Sequence, residues 1–294
     1  MNDNLANNSQ FARELWRRLE SIHAVTYFAP ETGEGAQALG ARGFWRTYFG
    51  FRAAPLGACS AGAASAAFFG FAPSMISRAI PSIWGLASPD EFLAVRGAAA
   101  AAALRRIAGD TIDALLNDTW AMDVLGHAAR NGTAGGLPLY LANRNLVLPD
   151  DPIAALWQTA TTLREQRGDG HVAAWTARGF APIDVAVLFV AAGGTSRAVL
   201  QPNRGWSDDE WVEASTRLSK RGLLDDDGIG AAGRDLVAEV ELATDTLAWA
   251  PFAAIGVTDQ RRLLDALTPV GRAIAQSGTI PLINPMGVRL IDQP

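Results

Sequence analysis

The stretch RLSKRGLLDDDGIGAAGRDLVAEVE, residues 217–241, decides the fold of the C-terminal third of the chain. Its first residues end a helix that Ser207 is expected to cap, and the acidic residues 208–210 fall in the first turn, where the helix dipole favours negative charge. A short apolar segment and an acidic Asp-Gly turn follow, and a long helix comes next. The pattern predicts two helices joined by a tight ribbon.

The segment just before this stretch completes a known order of elements. A short helix is predicted over residues 195–201, so the whole segment runs helix, helix, tight ribbon, helix. This order is typical of a winged helix-turn-helix. We predict a winged-helix-like domain over residues 191–275. We also predict a tail over residues 276–294, whose apolar, proline-punctuated sequence IPLINPMGVRL favours docking on the body.

The first 190 residues are predicted to form a helical domain, because alanine-rich segments with helical spacing are frequent and alternating strand patterns are scarce. The first helix is expected to start at an N-cap, Ser9, and to end before Pro30. Residues 33–43 and 135–152, rich in glycine, proline or asparagine, are predicted to be connections. The fold class is therefore mainly α, with an N-terminal helical domain at 1–190 and a C-terminal winged helix-turn-helix-like domain.

The composition indicates a cytoplasmic protein. The 294 residues are 49% hydrophobic, which is enough for a sizeable core in one large or two ordinary domains. The single cysteine, Cys59, fits a reducing compartment and is expected to be a core filler. The most apolar stretch, residues 53–71, is interrupted by Pro55, and the N-terminus lacks the pattern of a secretion signal, so we expect no membrane partner.

Residues 217–241 resemble the end of the recognition helix, the wing and the following helix of MarR-like regulators, in the run R-L-x-x-R-G-L-L … D-G-I-x-x-x-G-R-x-L. The resemblance implies a recognition helix for the major groove and a basic wing for backbone phosphate. Here the wing carries the aspartates of residues 225–227. Residues 201–294 hold nine Arg or Lys and fourteen Asp or Glu. The difference, −5, equals the formal net charge of the whole chain, so the acidity lies in the C-terminal third. This charge has the wrong sign for phosphate and disfavours DNA as a partner.

Five further segments resemble a largely uncharacterised bacterial family that combines an N-terminal helical domain with a C-terminal MarR-like winged-helix domain. The resemblance implies this architecture for most of the chain and implies no activity. The segments are HAVTYFAPE (23–31), YFGFRAAPLG (48–57), LREQRGDGHVAA (163–174), RGWSDDEW (204–211) and PLINPMG (281–287).

The most unusual polar segment lies between apolar helical stretches and contains Arg164, Arg167, Asp169 and His171. If one helix continues through the glycines, Arg164, Arg167 and His171 share a face at spacings of three and four. That face would offer two guanidinium groups to a carboxylate or phosphate, with His171 as proton donor or acceptor. If the helix breaks, Asp169 caps the next one. The structural alternative is that Arg–Asp pairs staple two helices.

Two other places are candidates for a polar pocket. His23 and Tyr27 lie four residues apart on the first predicted helix, with Glu31 just beyond it, and they could form one wall. Arg52 is a charge within an apolar segment, so it needs a partner or a ligand if it is buried. The alternatives are a hydrogen-bonded structural histidine and a structural ion pair.

No motif predicts a metal or a cofactor. The three histidines come from separate segments, and no HxH, HExxH or CxxC pair occurs. A P-loop, a dinucleotide fingerprint and a G-x-S-x-G elbow are also missing from the sequence.

Three functional hypotheses remain open. The leading one is a small-molecule-binding protein whose pocket lies in the N-terminal helical domain, with Tyr27, Arg52, Arg164, Arg167 and Asp169 as ligand contacts. The second is an enzyme of small-molecule (secondary) metabolism that uses a histidine, His171 or His23, as acid or base. The third is a MarR-like, ligand-responsive transcriptional regulator. A homodimer is compatible with each of them.

Overall fold

The computed structural model describes residues 2–133, 135–284 and 287–291, with side chains from residue 6 onward. Within these ranges the chain forms fourteen α-helices and one short hairpin, so the mainly α class is confirmed. The helices are α1 (Asn2–Phe28), α2 (Pro30–Ala38), α3 (Phe44–Ala53), α4 (Ala61–Ala67), α5 (Pro73–Ser77), α6 (Pro89–Asn117), α7 (Thr119–Asn131), α8 (Pro138–Arg144), α9 (Pro152–Thr176), α10 (Pro182–Ala191), α11 (Arg197–Arg204), α12 (Asp208–Lys220), α13 (Ala231–Trp249) and α14 (Val257–Gln276). The hairpin strands are β1 (Leu224–Asp225) and β2 (Gly228–Ile229).

Two hydrophobic cores organise these helices. The larger core takes side chains from α1, α3, α6, α7, α9 and α14, and the smaller one spans residues 174–243. The predicted boundaries at 190 and 275 do not coincide with the limits of these cores, because α10 lies in the smaller core and α14 in the larger. None of the helices in the described ranges is long and apolar enough to cross a membrane.

The described part of the predicted tail packs on the larger core. Ile280, Val288 and Leu290 are buried there, whereas Leu282 and Ile283 are exposed. Residues 285, 286 and 292–294 of the predicted tail lie outside the described residues.

Three local predictions for the helical domain are wrong, and in two cases a distant contact is the reason. Ser9 is no N-cap, because α1 begins at Asn2 and Ser9 lies buried inside it. Residues 33–43 are not simply a connection, since α2 occupies their first half. Gly35 allows α2 to approach α6 closely, because a Cβ at this position would lie 2.7 Å from Val95 Cγ1.

The third wrong prediction is the loop at residues 135–152, which contains α8. Pro138 occupies the start of this helix, a position that suits its fixed φ. The Asp169 carboxylate on α9 accepts the backbone N–H of Tyr140 at 2.9 Å, which satisfies a donor at the helix N-terminus. The loop-like sequence therefore becomes helical through a tertiary contact.

Helix α9 continues through Gly168-Asp169-Gly170. Of the two alternatives for this segment, the continuous helix is therefore correct, and Asp169 is not an N-cap. The glycines serve packing: a Cβ at Gly170 would touch Leu247 of α13 at 3.3 Å. Because the helix is continuous, side chains three and four residues apart on α9 project from one face.

The helix-turn-helix segment follows the predicted order. Helix α11 ends at Gly205, whose φ of +78° is left-handed, and α12 starts after Ser207, which forms a capping box with Glu210. The hairpin pairs Leu224 with Ile229 in antiparallel register. The predicted cap and ribbon are thus confirmed.

Candidate functional site

A cavity of about 340 Å³ lies where α1, α9 and α13 meet α10 and α11. We call it the junction pocket, since α1, which packs in the larger core, and α10 and α11, which pack in the smaller one, both line it. One wall is polar and the other apolar. The lining residues are Trp16, Glu20, Phe69, Gly70, Arg164, Arg167, Gly168, His171, Pro182, Val185, Ala186, Phe189, Leu200, Arg204, Glu241 and Gly287.

The polar wall is the face of α9 that carries Arg164, Arg167 and His171, together with side chains of α1 and α13. Arg164 is bound by internal carboxylates: its Nε lies 3.0 Å from Glu20 Oε2 and its Nη1 lies 2.8 Å from Glu165 Oε2. Glu20 also accepts the indole N–H of Trp16. Arg164 thus joins α1 to α9 and has little capacity left for a ligand.

Arg167 is also neutralised within the protein. Its Nη2 lies 3.2 Å from Glu241 Oε2 and 3.0 Å from Asp245 Oδ1, and its guanidinium lies over the Trp16 ring at 4.8 Å. The Asp245 side chain is fully buried, and burial raises its pKa although Arg167 and Arg13 oppose this shift. Arg167 therefore ties α9 to α13 beneath the pocket.

His171 has a defined tautomer. Trp175 Nε1–H donates to His171 Nε2 at 3.0 Å, so this nitrogen accepts and Nδ1 carries the hydrogen. Nδ1 lies 3.1 Å from Thr244 Oγ1, which donates its own hydrogen to the Val240 carbonyl and so accepts from the ring. Burial lowers the pKa of His171, as Arg167 also does, while Glu241 raises it. Both ring nitrogens are engaged.

The apolar wall comes from α10 and α11. Val185 and Phe189 of α10 and Leu200 of α11 face the pocket, and Phe69 completes the wall. These side chains would cover the hydrocarbon part of a bound molecule, as in most small-molecule sites.

Arg204 is the one arginine of the junction pocket without a carboxylate partner among the described residues. Its guanidinium lies over the Phe71 ring at 4.4 Å, and its buried Nη1 has no hydrogen-bond partner within the described ranges. Burial lowers the pKa of Arg204 to about 10, so the group stays charged at neutral pH. A buried donor without an acceptor is costly and marks a place where a ligand acceptor would stabilise the protein.

No local sequence pattern distinguishes Arg204 as a site residue. The residue ends a short helix just before a glycine, which is an ordinary position for a basic side chain. Its isolation arises from distant elements: Phe71 covers it, and the nearby glutamates bind other arginines. A local sequence pattern cannot predict these contacts, because they join residues that are far apart in the chain.

Tyr27 lines a different cavity, of about 290 Å³, between α1, α2 and α3. His23 lies behind it and lines neither cavity: its Nε2 is 2.7 Å from Tyr27 Oη and its Nδ1 is 2.9 Å from Thr161 Oγ1. Burial lowers the pKa of His23 well below its usual value and raises the pKa of Tyr27. The pair is therefore neutral and protonated on the phenol.

Arg52 and Asp169 line neither cavity. Arg52 makes two hydrogen bonds of 2.9 Å to the Glu165 carboxylate and donates to Tyr48 Oη at 2.8 Å. Asp169 is buried next to the start of α8, and burial raises its pKa to about 7 despite the bond from Tyr140 N–H. Both side chains connect helices.

The predicted site residues thus lie in three places: the junction pocket, the second cavity, and the hydrogen-bonded interior, where His23, Arg52 and Asp169 line neither cavity. Arg164, Arg167 and His171 share the junction pocket, whereas Tyr27 lies in the second cavity. Neither His23 nor His171 has a ring nitrogen free for proton transfer to a ligand. In the described ranges, no three His, Cys, Asp or Glu side chains are grouped as a metal site would require.

The outer face of the helix-turn-helix segment has an excess of acidic over basic side chains, since its exposed bases are Arg217, Lys220 and Arg221. Asp208, Asp209, Glu210 and Glu213 are exposed on α12, and the three aspartates of residues 225–227 are exposed at the hairpin tip. A phosphate backbone approaching this face would meet negative charge on both elements.

The turn between α11 and α12, followed by the β1–β2 hairpin, defines a helix-turn-helix protein. The chain belongs to the helix-turn-helix family whose model matches residues 12–281. The match covers most of the chain and confirms the helix-turn-helix part of the sequence prediction, while the MarR-like resemblance stays a prediction. No curated protein and no solved structure matches the chain.

Proposed function

We propose that this helix-turn-helix protein binds a small organic anion in the junction pocket, with Arg204 as the group that receives the negative charge. The observation that carries the proposal is the buried Nη1 of Arg204, which has no hydrogen-bond partner in the part of the chain that the structure describes. The predicted ligand contacts Arg164 and Arg167 line the same pocket, but internal carboxylates already bind them. These ion pairs leave the direct contact with an anion to Arg204.

The charge balance of the pocket supports an anion. Three arginines and two glutamates line it, and His171 is neutral, so the formal excess is one positive charge (three minus two). Removing this excess requires one carboxylate or a comparable anion. A charge-assisted hydrogen bond is worth about 1.5–3 kcal/mol, which corresponds to roughly 10- to 100-fold in affinity.

The apolar wall supports a hydrocarbon body on the same ligand. Phe69, Val185, Phe189 and Leu200 offer apolar surface opposite the charged wall. A volume of about 340 Å³ lies at the lower end of the range for small-molecule sites. An aromatic carboxylate of two fused rings matches both walls.

The test compares 1-naphthoate with its uncharged analogue 1-naphthamide by isothermal titration calorimetry. We expect naphthoate to bind at least tenfold more tightly, and Arg204→Met to abolish this difference. The control Arg78→Met removes an exposed arginine that does not line the junction pocket. It should leave the affinities for naphthoate and naphthamide unchanged. Equal binding of acid and amide to the wild type, or an unaltered preference in Arg204→Met, would disprove the anion site.

A ligand-responsive regulator is the second candidate. The family match is compatible with an interaction with DNA, and Arg204 is the last residue of α11, directly before the turn into α12. A ligand held by Arg204 would therefore contact the helix-turn-helix itself. The acidic face of α12 argues against strong non-specific binding.

Gel-shift titration of sheared genomic DNA at 50 and 200 mM salt, with and without 1-naphthoate, tests this candidate. A regulator should shift a subset of fragments, and the ligand should change that shift. Absence of any shift at 50 mM salt in both states would remove the candidate without affecting the proposal of a ligand site.

A further inference from the structure

The second cavity, between α1, α2 and α3, is rich in hydroxyl groups, and we call it the hydroxyl pocket. Thr26, Tyr27, Thr32 and Tyr48 line it, with Arg42 and Phe44 at its exposed rim. No carboxylate lines this pocket, and it shares no lining residue with the junction pocket.

Two hydrogen-bond patterns fit the contacts of His23, and they differ in whether Thr161 or Tyr27 keeps an unused hydroxyl hydrogen. Thr161 is buried and its hydroxyl has no hydrogen-bond partner other than His23 Nδ1 among the described residues, whereas Tyr27 faces a cavity, so the favoured pattern has Thr161 Oγ–H donating to Nδ1. The neutral His23 ring then carries its hydrogen on Nε2 and donates it to Tyr27 Oη. The phenolic hydrogen of Tyr27 remains available to the pocket, and the raised pKa of Tyr27 keeps it in place.

Three more hydroxyl groups of this pocket have unused donors. Tyr48 Oη accepts from Arg52 Nη1, and its own hydrogen has no acceptor in the described part of the chain. Thr26 and Thr32 are 97% and 96% buried, and their hydroxyls have no partner in the described ranges. Buried donors without acceptors are rare, so their concentration around one cavity points to a ligand rich in acceptors.

We propose that the hydroxyl pocket is a second binding site, which takes an uncharged, flat ring compound carrying carbonyl oxygens. Tyr27 donates to a carbonyl oxygen, and the Tyr48 and threonine hydroxyls serve further oxygens. The aromatic rings of Tyr27, Tyr48 and Phe44 supply flat apolar surface. A cationic ligand is disfavoured, because Arg42 is the only charged residue in the lining.

The neutral ligand distinguishes this site from the junction pocket. There, a buried guanidinium lacks an anion, whereas here hydroxyl hydrogens lack acceptors. The two sites can therefore fail independently in experiment.

The test measures binding of 1-tetralone and of its deoxygenated analogue tetralin by ligand-observed and protein-observed NMR. We expect tetralone to bind at least tenfold more tightly than tetralin, with shifts at residues of α1 to α3. Tyr27→Phe should weaken tetralone binding about tenfold, because the ring stays and the donor is lost. Tyr140→Phe removes a buried phenol elsewhere and is the matched control.

A second variant guards against loss of folding in Tyr27→Phe. Gly33 is an exposed residue of the pocket lining, and a Cβ there meets no atom within 4 Å, so Gly33→Leu adds a bulky side chain at the pocket with no clash at its Cβ. It should abolish tetralone binding and leave 1-naphthoate binding unchanged. Failure of tetralone to bind, equal affinity for tetralin, or unchanged binding in Gly33→Leu would each overturn the proposal.

Discussion

The arginines of the interior differ in what neutralises them. Arg52, Arg164 and Arg167 each contact carboxylates, whereas Arg204 lies over the Phe71 ring and has no carboxylate partner within the described ranges. Removing one partner of a buried ion pair costs about 3–5 kcal/mol, since it leaves an uncompensated charge. The first three arginines are thus part of the scaffold, and Arg204 is available for binding.

Glu165 is the carboxylate whose loss should harm the fold most. It is 1% exposed and contacts both Arg52 and Arg164. Burial raises its pKa, but the two arginines outweigh this and hold it well below its usual range. Glu165→Gln should lower the free energy of unfolding by about 3 kcal/mol in urea denaturation. In the control, Glu31→Gln at an exposed pair with Arg106, the change should stay under about 1 kcal/mol.

The two buried histidines should carry their hydrogens on opposite nitrogens. The partners of His23 place its hydrogen on Nε2, and those of His171 place it on Nδ1. Long-range ¹H–¹⁵N correlation spectra of histidine-labelled protein at pH 7.5 distinguish the two tautomers. The same tautomer at both residues would contradict the donor accounting for the hydroxyl pocket.

Asp169 should make stability depend on pH. Burial raises its pKa to about 7 in the folded protein, compared with about 3.9 in the unfolded chain. The folded state therefore binds more protons between these values, and its stability falls as pH rises from about 4 to 7. Asp169→Asn keeps an acceptor for Tyr140 N–H but has no titrating carboxyl group, so its stability should lack the fall between about pH 4 and 7 that Asp169 causes.

The measurement is urea denaturation of both proteins at several pH values. Contributions from His23 and His171 are common to both and cancel in the difference. A difference in stability that is constant from pH 4 to 7 would exclude the raised pKa.

At the scale of elements, the local signals at Ser207 and at the hairpin turn predict their elements correctly, whereas the signal at Ser9 does not, because α1 begins at Asn2. The Ser207 capping box and the Asp-Gly turn of the hairpin are complete within a few residues, so the sequence predicts both. Helices α2 and α8 depend on the approach of Gly35 to α6 and on Asp169. Such contacts join residues far apart in the chain and leave no periodic pattern.

The turn between α11 and α12 should require glycine for two reasons. Gly205 has φ +78°, and a Cβ there would lie 2.7 Å from Met75 Cβ. Gly222 has φ +70° and open space around it. Gly222→Ala should therefore cost about 1 kcal/mol for the left-handed backbone alone, and Gly205→Ala about 2–4 kcal/mol because overpacking adds to it. Thermal and urea unfolding of both variants test this, and equal losses would refute the packing contribution.

At the scale of the whole molecule, the candidate ligand site lies between the polar face of α9 and the apolar side chains of the smaller core. The spacing of Arg164, Arg167 and His171 predicts their common face, and the structure has them on one wall of the junction pocket. The sequence could not predict the opposite wall, because α10 and α11 reach α9 only through the packing of the two cores. Arg204 is hidden for the same reason.

This location links ligand binding to the helix-turn-helix. Polar residues of α9 and apolar residues of α10 and α11 face the same space, so a bound molecule would contact helices of both parts of the fold. Any molecule that binds there adds its binding free energy to the stability of that arrangement.

The most direct test of the anion site is a crystal structure of the protein with 1-naphthoate. We predict the carboxylate within hydrogen-bond distance of Arg204 Nη1 and the fused rings against Val185, Phe189 and Leu200. A carboxylate bound away from Arg204, or an empty junction pocket at saturating ligand, would contradict the account.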